Sequence, residues 1–494
     1  MKRNSIFIAC FVASLGAIAQ NSIDALRFSR YDYSGTAKFT AMGGSVGALG
    51  GEVSGINLNP AGIGVYRSSE FTFSSALNFT QTETNYRNNL RSADDLNFNI
   101  PNISYVGSYK GDPNGWKNYS FGISYNRVNS FNTESELAGR TDGSTITNDY
   151  ATLLNNNNVS IANVEAYGFP FGPSEAWQTY MLNNDSLTNF EYISAPFQYF
   201  ASPEQRRQIE TRGNQSETSF TFGGNYQDRL YLGGGISYQR LRFERDYTFT
   251  ENYTYDPPAG NEYFLATNYE ERTSLISLGT GVNFKLGAIY RINDALRVGG
   301  AIHSPTFYGI NEEYTFDSNS EFANGETFVA DGTTSSYRYQ LRTPMRYQAS
   351  FAYLYLSKFS INLDYDYVDY STARLDDARN FEFDYSESNE EINTNLVGTH
   401  NFRVGAELNL EPFVIRGGFR YEQNPFATNL EFKPDETRQT LSFGGGYRSK
   451  NYNIDVAYSR STLAITDPVY QTSSEAANID QSRNNLIFTV GWRW

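Results

Sequence analysis

The sequence predicts an all-β fold: a closed antiparallel transmembrane β-barrel of about fourteen strands, with a small N-terminal plug in its lumen. Three observations lead there. First, residues 485–494 alternate strictly, with Leu486, Phe488, Val490, Trp492 and Trp494 on one face and Ile487, Thr489, Gly491 and Arg493 on the other. Successive side chains of a strand point to opposite sides, so one face suits lipid and the other a polar interior. In hydrocarbon every backbone polar group needs a partner, and a closed barrel is the β structure that supplies one throughout. Second, the chain holds 38 Tyr and 36 Phe, an excess that suits aromatic girdles at two bilayer interfaces. Third, short and long connections alternate along the chain, as periplasmic turns and external loops do in outer-membrane barrels.

At the N-terminus, residues 1–19 read as a signal peptide. Lys2 and Arg3 form its charged region, residues 6–13 its apolar region, and Ala17-Ile18-Ala19 a small-x-small cleavage site before Gln20. Cys10, the single cysteine, lies in that apolar region, so the mature chain is expected to contain neither disulfide nor thiol. Beyond it no run of about 18 apolar residues offers a transmembrane helix. The mean hydropathy of -0.53 is low because only half of each strand faces lipid. A formal charge of -15, or -17 without Lys2 and Arg3, argues against nucleic acid as a partner.

Residues 20–68 form a separate segment, rich in Gly and Ala and without alternation. It includes Ala41-Met42-Gly43-Gly44 and Asn59-Pro60-Ala61-Gly62. Small residues suit a plug packed closely against barrel walls. Residues 69–494 carry the strands, from 71–79 to 486–494. Six short connections fall at 111–117, 227–228, 293–294, 356–358, 410–412 and 449–451. Long polar connections centre on 132–207, 256–262, 317–333, 376–393, 423–435 and 467–480. The period-two signal is clearest where Tyr347, Ala349, Phe351, Tyr353 and Tyr355 are answered by Phe359, Ile361, Leu363, Tyr365 and Tyr367. An even strand number places both chain ends on the periplasmic side.

At these residues the sequence resembles the FadL-type (FadL/TodX) long-chain fatty acid and hydrocarbon transporters. Thr40-Ala41-Met42-Gly43-Gly44 followed by Asn59-Pro60-Ala61-Gly62 is similar to the family's N-terminal hatch. Thr343-Pro344-Met345-Arg346-Tyr347, Asp364-Tyr365-Asp366-Tyr367-Val368-Asp369-Tyr370, Arg403-Val404-Gly405-Ala406-Glu407, Gly446-Tyr447-Arg448 and Ala457-Tyr458-Ser459 resemble its late strands. The resemblance implies a fourteen-stranded barrel with a hatch, in the Gram-negative outer membrane. It further implies passive uptake of a hydrophobic small molecule such as a fatty acid, with sideways exit through a wall opening at a kinked third strand. Here the third strand (Tyr119, Phe121, Ile123, Tyr125) has Gly122 but no proline. Pro101 lies on the preceding strand, and Pro305 and Pro344 on later ones. Proline removes a ladder hydrogen bond and opens a wall locally.

The residues offer little for catalysis or metal binding, and no cofactor is expected. His303 and His400 are the only histidines. His303 adjoins Ser304, but neighbouring strand residues point to opposite faces, and alternation from Leu296 and Val298 turns His303 into the lumen. No Cys or His cluster exists. Asp364 and Asp366 share the inward face with Arg346, Arg403, Arg416, Arg420, Arg448 and Arg493, so a lumen network of compensating charges is expected. Carboxylates such as Asp369, Glu387, Glu390 and Glu391 also admit a structural ion at the loops. Guanidinium forks suit carboxylates, which makes Arg403 and Arg416 the candidate contacts for an acid headgroup. Asn59, Pro60, Ala61 and Gly62 read as a tight turn and as a gate.

Two other functions fit such a barrel. A scaffold of a secretion or surface-attachment machine would present the connection 132–207 and its neighbours to protein partners, and would copurify with protein rather than lipid. A general porin is disfavoured by the plug, and an energised iron-chelate receptor by the plug's small size.

Overall fold

The computed structural model describes residues 21–494 except 142, 170, 185–190, 199–200, 256–264, 357, 379–382, 429, 431–434, 471–472 and 474. The expected signal peptide and the connection 256–262 lie outside the described residues.

Fourteen antiparallel strands form the wall. They are β1 (Glu70–Tyr86), β2 (Asn89–Lys110), β3 (Trp116–Ser130, resuming as Thr133–Arg140), β4 (Ser202–Tyr226), β5 (Leu230–Thr254) and β6 (Ala266–Arg291). Then follow β7 (Leu296–His303, then Phe307–Phe322), β8 (Thr327–Arg342, then Arg346–Tyr355) and β9 (Phe359–Asp369, then Arg374–Asp377). The last five are β10 (Gly398–Leu410), β11 (Phe413–Glu422), β12 (Arg438–Arg448), β13 (Tyr452–Pro468) and β14 (Ala476–Arg493). Each pairs with its neighbour in sequence, and the cylinder closes where β14 pairs with β1, from Glu70↔Arg493 to Asn85↔Asn478. Ser69 and Trp494 extend that seam by two backbone hydrogen bonds of 3.2 Å.

Burial follows the expected parity. Leu486, Phe488, Trp492 and Trp494 are exposed to the lipid side, whereas Ile487 and Thr489 are buried. Inward positions are mostly Ser, Thr, Asn and charged residues, including Ser120, Ser237, Asn283 and Asp364. Around the periplasmic rim aromatic rings meet in pairs, among them Phe71–Trp492, Trp116–Tyr226, Phe413–Tyr447 and Tyr447–Tyr452. These rings sit where one end meets apolar chains and the other meets water, which is where they are most stable. The short connections are tight. At Gln227–Asp228 both residues have positive φ, 54° and 55°, and Asn225 Oδ1 accepts from Asp228 N at 2.9 Å.

The strands are longer than expected. β4, β5 and β6 have 25, 25 and 26 residues, where about 9–11 suffice to cross a bilayer. Their exposed apolar side chains stop at Phe220, at Tyr238 and near Leu278, so the upper halves form a cylinder standing outside the membrane. Three expected connections are corrected accordingly. Residues 317–333 are the ends of a hairpin whose turn covers only 323–326. Of residues 467–480, 467–468 and 476–480 belong to strands, which narrows that connection to 469–475. Within 132–207, both ends pair in the wall as Thr133–Arg140 against β4, and the true insertion is 141–201. A further external turn, at Arg87–Asn88, joins β1 to β2.

Helices α1 (Ser22–Ser29) and α2 (Ala37–Ala41) and two 3-10 turns, Gly55–Asn57 and Pro60–Val65, precede the wall. The insertion contributes α3 (Ile146–Asn156) and shorter helices. Its Leu154, Val164 and Met181 pack in one core with Tyr86 of β1, Leu137 of β3, Phe249 of β5, Tyr269 of β6 and Phe322 of β7. Inward residues of β1, β3, β5, β6 and β7 therefore converge on the insertion, which lies in the outer mouth. Below it, Leu26 and Phe28 of α1 lie in a second apolar cluster with Phe131, Leu241, Phe243, Tyr308 and Ile310.

Candidate functional site

Residues 22–65 fill the bore beneath that cluster, and the wall receives them at small residues. Gly43, at φ 62°, lies against the backbone of Phe419, and a Cβ on Gly405 or Gly418 would run into Met42 or Gly43. The turn Asn59-Pro60-Ala61-Gly62 sits on a second group of wall glycines. A Cβ on Gly233 would overlap Pro60 O and come within 2.7 Å of Ala61 N, and one on Gly287 would come within 2.9 Å of the Pro60 ring. Asn59 ties the turn at both ends. Its Oδ1 accepts from Ala61 N at 3.1 Å, and its Nδ2 donates to Gly47 O at 2.8 Å and to Ala288 O of the wall at 3.3 Å. The turn continues into Pro60–Val65 because proline's fixed φ suits a first helical position. Ala61 packs in one cluster with Tyr231 and Ile289.

The inward charges form a network that binds this segment to the wall. Arg403 is buried and paired with Asp366, with a second N–H···O contact of 3.2 Å, and stands 3.8 Å from Asp364. Its guanidinium also stacks on the ring of Tyr33, 4.3 Å from the centroid. The Tyr33 hydroxyl donates to Asp366 at 2.7 Å and accepts from Arg346 at 2.7 Å. Asp364 accepts from the backbone of Val46 at 2.9 Å and of Gly47 at 3.1 Å. Arg416 bonds Glu407 at 2.7 Å and Asp455 at 2.6 Å, and Arg420 donates to Tyr33 O at 3.2 Å. Arg493 reaches Glu70 at 2.6 Å across the closing seam. Arg403 and Arg416, expected as contacts for an acid headgroup, are thus already engaged by wall carboxylates. Both compensate wall charge, and Arg403, stacked on Tyr33, also holds the plug. The loop carboxylates gather no metal-like group of His, Cys, Asp or Glu among the described residues.

His303 faces the lumen, as alternation requires, and its Nε2 lies 2.7 Å from Leu58 O. Ser304 bonds elsewhere, donating to Pro305 O at 2.9 Å and accepting from Phe284 N at 2.9 Å. The two do not pair.

A break in the wall begins at this point. β7 stops at His303 and resumes at Phe307, and β8 stops at Arg342 and resumes at Arg346. The flanking registers, His303↔Arg346 and Phe307↔Arg342, set the two gaps side by side. β9 is interrupted at the same level by the turn Tyr370–Thr372. Across the gap only Thr343 N to Thr306 O at 3.1 Å and Thr306 N to the Thr343 hydroxyl at 2.9 Å replace the ladder. Pro305 and Pro344 occupy the two gaps and supply no N–H. Behind them lies a narrow cleft, with room for about one water molecule, lined by Phe28, Tyr31, His303, Thr306, Pro344 and Val368, among others. Ile302, Phe307, Met345 and Tyr347 are exposed on the lipid side of the same stretch. The third strand pairs with β4 along most of its length but with β2 only from Asn118 to Asn126; it shifts register between Arg127 and Asn129 and is interrupted between Ser130 and Thr133. Pro101 of β2 stands at a register shift opposite Ser74/Ala76. That three neighbouring strands break at one level was not legible, because single prolines do not reveal which strands will lie together.

Among known proteins, the P. putida toluene transporter TodX superposes with a TM-score of 0.52 at 12% identity, covering 94% of this chain and 99% of that one. A FadL homologue from Pseudomonas aeruginosa gives 0.54 at 15% identity, with 94% and 99% coverage. At these identities the likeness establishes the fold. No curated protein matches the chain. The sequence profile described as outer membrane protein transport protein (OMPP1/FadL/TodX) matches residues 225–491, more than half of the sequence. Those residues include the paired breaks of β7 and β8, the Arg403 network and the closing strand, so this chain, an outer-membrane barrel, belongs to the OMPP1/FadL/TodX family.

Proposed function

We propose that the protein carries long-chain fatty acids or similar apolar molecules passively into the outer membrane, through a gated lumen with sideways exit. The observation that carries this reading is the interruption of β7, β8 and β9 at one level, backed by the cleft at Phe28, Tyr31 and Val368. An apolar solute leaving there passes between Ile302, Phe307, Met345 and Tyr347 straight into lipid and never crosses the polar lower lumen. Residues 1–19 export the chain, residues 20–68 are the hatch, and residues 69–494 are the wall.

The hatch is the gate in this reading. The exit cleft is closed on its inner side by Phe28 to Tyr31 and by His303, whose ring holds Leu58 O. Leu58 immediately precedes the Asn59-Pro60-Ala61-Gly62 turn, so release of that turn frees the cleft's inner wall. Arg403 serves the hatch, and Arg416 the wall, rather than the cargo.

The test restores the ladder. Pro305→Ala with Pro344→Val supplies two N–H groups to the gap and is expected to lower fatty-acid uptake several-fold without lowering barrel stability. Uptake at the wild-type rate, in a protein shown by hydrogen exchange to have closed the gap, would place the exit elsewhere.

A further inference from the structure

The insertion 141–201 is held in the outer mouth partly by two carboxyl groups with unusual surroundings. Glu251 of β5 and Glu271 of β6 are fully or almost fully buried, and neither makes an ion pair among the described residues. Both lie above the last lipid-facing apolar side chains of their strands, outside the membrane. Glu251 accepts from Ile146 N, the first residue of α3, at 3.1 Å, from Gln205 at 2.7 Å and from the Tyr253 hydroxyl at 2.7 Å. Glu271 accepts from the Tyr150 hydroxyl of α3 at 2.7 Å and from Tyr269 at 2.9 Å. One helix of the insertion is thus fastened at two successive turns to two wall carboxyls.

The charged neighbours do not neutralise them. Asp149 of α3 and Glu175 of the helix Pro173–Gln178 add negative charge, and Glu475 reaches Tyr86 beside Gln205. Of the nearby cations, Arg207 is bound to Asp467 and to the carbonyls of Pro468 and Val469, Arg87 is bound to Glu475, and Arg245 faces Tyr314. We propose that the insertion is a lid whose closure requires Glu251 and Glu271 to stay protonated, so that it is latched in acid and loosens as the medium turns neutral to alkaline. This rests on the transport reading only for its purpose, since a lid over the mouth matters to whatever enters there.

The direction follows from linkage. Burial pushes the Glu251 carboxyl up to about 7 and, with Glu251 and Glu175 adding their charge, the Glu271 carboxyl up to about 8. In the open lid both return to water and to about 4.3. Their contribution to closure is fully present below that open-state value and is lost as pH rises through the closed-state values.

Hydrogen exchange of the purified full-length barrel tests this. After correction for intrinsic exchange, protection of the α3 amides should fall at least several-fold between about pH 5 and about pH 8.5, while β10–β11 amides hold constant. Glu251→Gln with Glu271→Gln should remove the dependence. A flat wild-type profile at α3, or the wild-type slope in the double variant, would overturn the lid. The wild-type titration needs no substitution, so misfolding of the variant cannot rescue the idea. Fatty-acid uptake is measured separately. A responsive α3 without uptake refutes transport and spares the lid, whereas uptake with a flat α3 refutes the lid and spares transport.

Discussion

Replacing Arg403 with methionine is expected to destabilise the folded barrel by about 3–5 kcal/mol, read from denaturant unfolding in detergent. The size follows from what the side chain leaves behind. Asp366 and Asp364 are buried, and the guanidinium supplies the nearest compensating charge to both. Removing one member of a buried pair leaves an uncompensated charge, which costs far more than an exposed pair contributes. The loss also reaches the hatch, because Asp366 accepts from Tyr33 and Asp364 from Val46 and Gly47. Adding Asp366→Asn to Arg403→Met should recover a large part of the loss, since one buried charge then disappears with its partner. A cost under about 1 kcal/mol for Arg403→Met would show that water reaches these carboxylates and that the network does not anchor the hatch.

The second large effect concerns movement. Ala61→Cys with Ile289→Cys places a cysteine on the hatch turn and another on the wall, at positions packed in one cluster. The only native cysteine is Cys10, within the expected signal peptide, so no other thiol competes. Once oxidised, the bond fixes the turn and with it Leu58, whose carbonyl meets His303 at the cleft behind the β7–β8 break. Uptake is expected to fall to background in the oxidised protein and to return on reduction. Full uptake with the bond shown to be formed would refute gating by the hatch.

Much of this was legible in the sequence, for a physical reason that also sets its limit. Within the bilayer one face of each strand must be apolar and the other polar, so Phe359, Ile361 and Leu363 against Ser360, Asn362 and Asp364 announce a strand. Above the bilayer both faces can be polar. Glu204, Arg206 and Gln208 outward against Gln205 and Arg207 inward give no contrast, and the upper half of β4 reads as a loop although it pairs throughout. The same loss of contrast hid the hairpin across 317–333. Parity alone turned Arg346, Arg403, Arg416 and Arg420 inward. Their partners were harder to see, because Tyr33 and Asp366 meet across 333 residues of sequence. The Asn59-Pro60-Ala61-Gly62 turn stood out through its own residues. The glycines that receive it, Gly233 and Gly287, did not, since a lone glycine in a strand marks a bulge, a bend or a close approach equally well.

Apolar molecules, and not water-soluble ones, are expected to pass through this barrel. Proteoliposomes holding the purified protein measure both fluxes in one preparation: uptake of a fluorescent long-chain fatty acid and osmotic swelling in arabinose. Fatty-acid uptake several-fold above protein-free vesicles, with swelling no faster than theirs, is the predicted result. Rapid swelling in arabinose, with fatty-acid uptake at the protein-free rate, would contradict it.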